Sequence, residues 1–306
     1  MPRDSVYVGF LFGFHAGDAA RRTLRQCGLH QEAAESEQRD GRQGGTHSGM
    51  HVRLAPDDPR LPVLLERLRH QNVYTTTFYD RRYSKRELDR APWLWLNVGT
   101  AGVTGGSAVG QPHTYRNACN ECGAGALPEP PLIAHLSKVS PKGIDHTSYD
   151  GHLIVLTRIA DALARGGVSG FTPLPVRSPR SWPSEKYVWL HIDSVLPPMS
   201  DLSSGLLAEK RCPSCGRAGY GMSHTAPFVP YFECLPANAP DLNRTWEHFG
   251  EFEYQKRPRP LPGEQLVIAS QLVRQVLLLA GLRRLRWTPI ASRPIESVSL
   301  SSTATS

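Results

Sequence analysis

The chain of 306 residues has no apolar run near the roughly 20 residues that a membrane-spanning helix needs. Its longest uncharged stretch near the start is Val6–Phe14. One basic residue, Arg3, precedes that stretch, Asp4 stands beside it and no A-x-A cleavage site follows, so it reads as a buried first strand rather than a secretory signal. Charge is sparse, at 21% of residues, and mixed in sign, which excludes a disordered polyelectrolyte. Motifs of catalysis are missing as well: there is no H-E-x-x-H, no G-x-S-x-G and no Walker lysine. His30-Gln31-Glu32 is half of a zinc-deaminase signature, but Arg211 precedes Cys212 where that signature needs proline. No catalytic set is legible, and the expectation is a cytoplasmic protein that is not an enzyme and does not engage a membrane.

What is present can fold. Hydrophobic residues make up 40% of the chain and aromatics 8%, enough for a core, and the length suits one large or two modest domains. The 27 glycines and 26 prolines predict many turns and long connections. A net charge of +7 permits an acidic partner without requiring one.

The first 98 residues read as an N-terminal α+β domain. Residues 5–14 form a strand, and Asp18 starts a helix through about Cys27 that Gly28 stops. Residues 31–49, rich in glycine and polar side chains, read as an exposed loop before a strand at 51–55. Asp58-Pro59 opens a helix whose Leu61, Leu64, Leu65 and Leu68 lay one apolar stripe on a core. A strand at 73–79, a short helix after the capping box Ser84/Glu87, and a strand at 93–98 complete the domain. Residues 99–110 follow a strand and suggest a phosphate cradle. No lysine closes them and Gln111-Pro112 stands where a helix should begin, so they read as a flexible glycine-rich linker.

Residues 111–292 contain a repeat, in segments 119–176 and 212–290. Each segment opens with C-x-x-C-G and continues through an apolar strand (Leu153–Leu156; Leu266–Ala269) and a Ser/Thr cap (Thr157; Ser270). A one-face helix, a small-residue turn (Gly166-Gly167; Ala280-Gly281) and a strand ending Pro175-Val176 or Pro289-Ile290 then follow, with a one-residue gap sufficing for alignment. The fold class expected is α+β: an N-terminal α+β domain, then a duplicated strand-helix-strand module clamped by a split zinc ribbon. A proline-rich connection at 172–183 and a strand near 187–192 separate the copies, and residues 293–306 read as a disordered tail.

Four of the six cysteines stand in identical frames, Cys119-Asn-Glu-Cys122-Gly and Cys212-Pro-Ser-Cys215-Gly. Two intervening residues let both thiolates face one ion from a tight turn, and the glycine lets the backbone reverse. Two such knuckles supply the four sulfurs of a closed, structural site. One structural Zn2+ held by Cys119, Cys122, Cys212 and Cys215 is therefore expected. Residues 123–211 then split the ribbon, an insertion whose closure entropy grows only logarithmically. Spacing leaves other ligand sets open: His224 and Cys234 beside the second knuckle, and His113 or His135 beside the first, make two metals, and no metal is a third outcome. A reducing compartment favours metal over disulfides, and neither pair opens the helix that a thioredoxin-like redox motif caps. Cys27 and Cys234 read as small buried apolar residues.

Basic clusters at Arg81/Arg82/Lys85/Arg86/Arg90, Lys256/Arg257/Arg259 and Arg283/Arg284/Arg286 allow contact with a phosphate backbone, making a zinc-ribbon nucleic-acid binder the alternative function. Acidic residues interrupt the first cluster and no aromatic platform is interleaved, so that partner is less favoured. Residues 241–250, DLNRTWEHFG, read as a short core-packed helix.

The paired C-x-x-C-G frames, the Trp246–Gly250 segment WEHFG and the closing LVIASQLVRQVLLLAGLRRLRWTPI together resemble the bacterial double-CXXCG motif proteins over about residues 111–290. Those are immunity-like proteins of polymorphic toxin systems, best known from myxobacteria. The resemblance implies a protein that binds and neutralises a cognate toxin encoded nearby, with the four cysteines holding a structural metal.

Overall fold

A computed structural model of the chain describes residues 3–11, 17–31, 34–39, 46–55, 58–70, 74–99, 102–141, 143–148, 150–222, 228–233, 235–249, 263–283 and 285–292. It is α+β and divides into two units: residues 1–85 with 204–207 and 222–228, and the remainder. None of its described helices is long and apolar enough to cross a membrane.

The first unit is a sheet of order β2-β3-β1-β4, every neighbour antiparallel, built from β1 (Arg3–Leu11), β2 (Ala34–Arg39), β3 (Thr46–Leu54) and β4 (Tyr74–Arg82). Helices α1 (Gly17–Gln26) and α2 (Arg60–His70) pack together beside it. Asp58 caps α2 by accepting from the Arg60 amide at 2.9 Å. Leu64 and Leu68 of the expected stripe are fully buried with Leu24 and Leu29. The loop expected at 31–49 instead contains β2 and the start of β3. An edge strand needs only its backbone ladder, so the polar sequence AESEQR serves there and discourages further pairing. Cys27, expected to be buried, follows α1 and is partly exposed.

The second unit starts with α3 (Lys85–Arg90) and β5 (Trp93–Asn97). Its larger sheet has the order β8-β11-β12-β10-β9, from β8 (Leu132–Ile133), β9 (Ile144–His146), β10 (Leu153–Leu156), β11 (Thr172–Arg177) and β12 (Pro183–His191). A second sheet has the order β16-β18-β5-β19, from β16 (Leu242–Arg244), β18 (Val267–Ser270), β5 and β19 (Arg286–Pro289). Helix α4 (Thr157–Arg165) joins β10 to β11, and α5 (Gln271–Leu279) joins β18 to β19. Smaller pairings involve β6 (His113–Thr114) with β7 (Leu127–Pro128), and β15 (Tyr231–Phe232) with β20 (Ala291–Ser292). A further three-stranded sheet unites β13 (Leu206–Arg211), β14 (Ala218–Met222) and β17 (His248–Phe249).

The two larger sheets share order and polarity. In β9-β10-β12-β11 and in β16-β18-β5-β19 all neighbours are antiparallel, and the strand before the helix and the strand after it flank one inner strand. Leu153 lies opposite Leu190 and Ile154 opposite Trp189; 114 residues later, Val267 lies opposite Leu96 and Ile268 opposite Trp95. Pro175 faces Val188 as Pro289 faces Leu94. The outer turns match as well: the Thr147 hydroxyl accepts the His152 amide at 3.0 Å, and the Thr245 hydroxyl accepts that of Leu266 at 3.0 Å. Ile159, Ala160 and Leu163 form the buried face of α4, while Val273, Arg274 and Leu277 form that of α5, again at a spacing of 114. Both faces enter one core with Leu94, Leu96, Leu153, Val155, Val267 and Trp287. This register needs no gap, because Leu156, not Thr157, is the counterpart of Ser270. Neither hydroxyl caps its helix: Thr157 donates to the Glu185 carbonyl and Ser270 to the Asp241 carboxylate.

Three further expectations are corrected. The boundary at residue 98 falls earlier, because β5 is the inner strand between β18 and β19, with Leu94 and Leu96 buried. Residues 99–110 are no flexible linker where described: Val103 is 1% exposed, Gly106–Val109 is a 3-10 turn, and a Cβ on Gly105 would stand 2.8 Å from the Ala134 Cβ. The glycine there serves close approach, not mobility. Residues 241–249 form strands β16 and β17 instead of a helix: Asn243 donates to the Pro240 carbonyl and Thr245 to that of Glu247, local bonds that compete with helical bonding, while the Asp241 carboxylate is held by the distant Ser169 and Ser270. His224, Cys234, Lys256, Arg257, Arg259, Arg284 and the 293–306 tail lie outside the described residues.

Candidate metal centre

Each C-x-x-C-G occupies a tight turn within the second unit, the first between β6 and β7 and the second between β13 and β14. The two turns share one hydrogen-bond plan at a spacing of 93. The Cys119 amide donates to the Ala124 carbonyl and the Gly123 amide to that of Cys119; the Cys212 amide donates to Arg217 and the Gly216 amide to Cys212, all at 2.8–2.9 Å. Gly123 and Gly216 have φ of 72° and 71°, the left-handed conformation that L side chains avoid, which explains the shared glycine.

The turns bring all four sulfurs within 4.8 Å of one another. Cys119 Sγ lies 3.7 Å from Cys212 Sγ, and Cys122 Sγ 3.5 Å from Cys215 Sγ, so first cysteine faces first and second faces second. A disulfide requires about 2.05 Å. A tetrahedral ion with metal–sulfur bonds of about 2.3 Å separates its sulfurs by about 3.8 Å, which these pairs nearly match. Cys122 and Cys212 are buried with Ala124, while Cys119 and Cys215 are partly exposed. The four can hold one metal ion, with no protein position left for substrate.

Backbone N–H groups tune the sulfurs unequally. The Cys122 amide, then that of Glu121, donates to Cys119 and brings its thiol down to about 7. Burial pushes the thiols of Cys122 and Cys215 up against the pull of the Ala124 and Arg217 amides. Glu121 also accepts a hydrogen bond from the Ser214 hydroxyl, tying one knuckle to the other.

Among the described residues, the alternative ligands His113 and His135 do not join the cluster. His113 binds the Gln111 carbonyl through Nδ1, and His135 is exposed beside the 3-10 turn Leu136–Lys138. The four cysteines expected from the spacing to share one ion are the ones that the fold brings together. A scan against family models finds no match for this chain, and searches of curated proteins and of solved structures find none either.

Proposed function

We propose that the chain is a non-enzymatic, cytoplasmic zinc-binding protein that binds another protein through a duplicated module clamped by one structural Zn2+. The convergence of two knuckles, some 90 residues apart in the chain, on one four-thiolate cluster carries this reading. Soft thiolates in tetrahedral array suit zinc, and four of them close its coordination sphere, so the ion would brace the fold rather than activate a water. Matching register, helix faces and turn bonds in the two sheets support the duplication. On that reading a copy runs from an aromatic inner strand through its knuckle to its helix, and the copies exchange inner strands: β5 of the first enters the sheet of the second, β12 of the second that of the first.

Protein binding, and with it the toxin-neutralising role implied by the double-CXXCG resemblance, is supported by exposed apolar anchors. Trp182 is 90% exposed just before β12, and Leu279 is 89% exposed at the end of α5. The metal reading is tested by zinc content per chain. One equivalent is expected in the wild type and none in Cys119→Ser or Cys212→Ser, with the second unit losing its cooperative melt, since a structural zinc contributes on the order of 10 kcal/mol. Two equivalents, or serine variants that keep their zinc, would overturn it. Partner binding is tested by co-expression with the product of the adjacent reading frame, which should co-elute. Failure to co-elute, with retention on a nucleic-acid column that falls steeply with salt, would replace the protein partner by nucleic acid.

A further inference from the structure

A second feature of the same unit is a polar cleft that no cysteine lines. It consists of two overlapping lobes of about 20 and 30 Å3, each with room for only one or two water-sized groups, that share Asp150, His152, Arg244 and Gln265; His191 lies at one end and His248 at the other.

Most polar groups of the cleft are committed elsewhere. The Asp150 carboxylate accepts the Ser107 amide at 2.6 Å and the Ser107 hydroxyl at 2.5 Å. Gln265 donates to the Thr245 carbonyl, and His191 Nε2 meets Asp193 at 2.6 Å. The Arg244 guanidinium and His248 Nε2 are not so committed. Among the described residues no hydrogen bond or ion pair reaches the Arg244 guanidinium, its Nε is sealed from solvent, and Asp193 attracts it only at longer range. His248 is 2% exposed; its Nδ1 donates to the Gly263 carbonyl at 2.9 Å, leaving a buried Nε2 with no hydrogen-bond partner among the described residues. A carbonyl only accepts, so Nδ1 holds the ring proton and Nε2 presents a lone pair.

A guanidinium withdrawn from water without an anion is costly, and its planar fork of donors matches a carboxylate or phosphate. The bare nitrogen of His248 adds an acceptor suited to a hydroxyl. Trp189, packed edge-on against both His152 and His191 at ring distances of 5.1 and 4.7 Å, keeps that end of the cleft in one shape. We propose that this cleft binds a small oxyanion that also carries a hydroxyl, of the phosphate or hydroxycarboxylate kind, with Arg244 gripping the anionic oxygens and His248 accepting from the hydroxyl.

The zinc-loaded full-length protein is titrated calorimetrically at fixed ionic strength and neutral pH with inorganic phosphate, glycolate and sulfate, the last lacking a hydroxyl. Saturable binding of one phosphate or one glycolate per chain is expected, and whichever binds names the source. Sulfate should bind at least tenfold more weakly. Arg244→Met should weaken binding at least tenfold while keeping wild-type zinc content, so that loss of this site is distinguishable from loss of the metal. Should Arg244→Met fail to fold, Arg244→Lys, which keeps the charge and loses the fork, should still weaken binding severalfold. No saturable binding of any probe, sulfate binding as tightly as phosphate, or equal affinity in wild type and whichever variant folds would overturn the proposal.

Discussion

His248 shows at the scale of one residue how burial fixes a protonation state. Burial, assisted by the charges of Arg217 and Arg244 and opposed by the Gly263 carbonyl, holds its ring at about 4, against about 6.5 for an unfolded histidine. The unfolded chain therefore takes up a proton between pH 6.5 and 4 that the folded chain refuses. The stability contributed by the neutral ring is complete above pH 6.5, declines as pH falls towards 4, and declines no further below that, a loss on the order of 3 kcal/mol. His152 and His191 are also held down, mainly by burial, and add in the same direction. Denaturant melts should thus show stability falling from pH 7 to pH 4, with a shallower fall in His248→Gln. An unchanged slope in that variant would show that His248 is not desolvated in solution.

The outer turns carry the same logic at the scale of an element. Thr147 and Thr245 are both fully buried, and each hydroxyl accepts the amide that leads into the strand before the helix, His152 into β10 and Leu266 into β18. Replacing either hydroxyl by a methyl leaves a backbone N–H without its acceptor. Thr147→Val and Thr245→Val should each cost about 1–3 kcal/mol in urea unfolding of the full chain. Values differing by more than a factor of about three, the usual spread from context, would argue against equivalent roles.

The helices were legible because their cues are local. The leucine stripe of α2 and the one-face patterns of α4 and α5 depend on residues three and four apart, and the knuckles on two cysteines and a glycine. Partnership was not legible. Nothing within WLWLN says that its neighbours lie 171–195 residues onward in β18 and β19, so β5 was assigned to the wrong unit. The polar strand β2 and the glycine-rich residues 102–110 were misread for the same reason. Each owes its order to what packs beside it, a β3 ladder in one case and Ala134 with Asp150 in the other. Arg244 and His248 gave no signal either, because strands β16 and β17 lie in a segment whose Trp246 and Phe249 mimic a helical spacing.

For the molecule as a whole, the proposed exchange of inner strands makes a claim about cooperativity. On that proposal neither copy contains the inner strand of its own sheet: β10 and β11 close on β12, while β18 and β19 close on β5. The four sulfurs are likewise divided two and two. Cutting the chain between Ser181 and Trp182, at an exposed turn, gives fragments 1–181 and 182–306 that carry one knuckle each, with α4 in the first and α5 in the second. If the exchange is obligatory, each fragment expressed alone should lack a cooperative melt of this unit and bind zinc poorly, since two thiolates leave its coordination incomplete. Co-expressed, they should form a 1:1 complex with one zinc that chelation weakens, because the metal adds to the strand ladders of β12 and β5 and to the shared core around Ile159 and Val273 in linking them. Should fragment 182–306 alone give a folded, zinc-loaded monomer, its own β12 would have taken the place of β5, and the exchange would be a convenience of connection rather than a requirement of the fold.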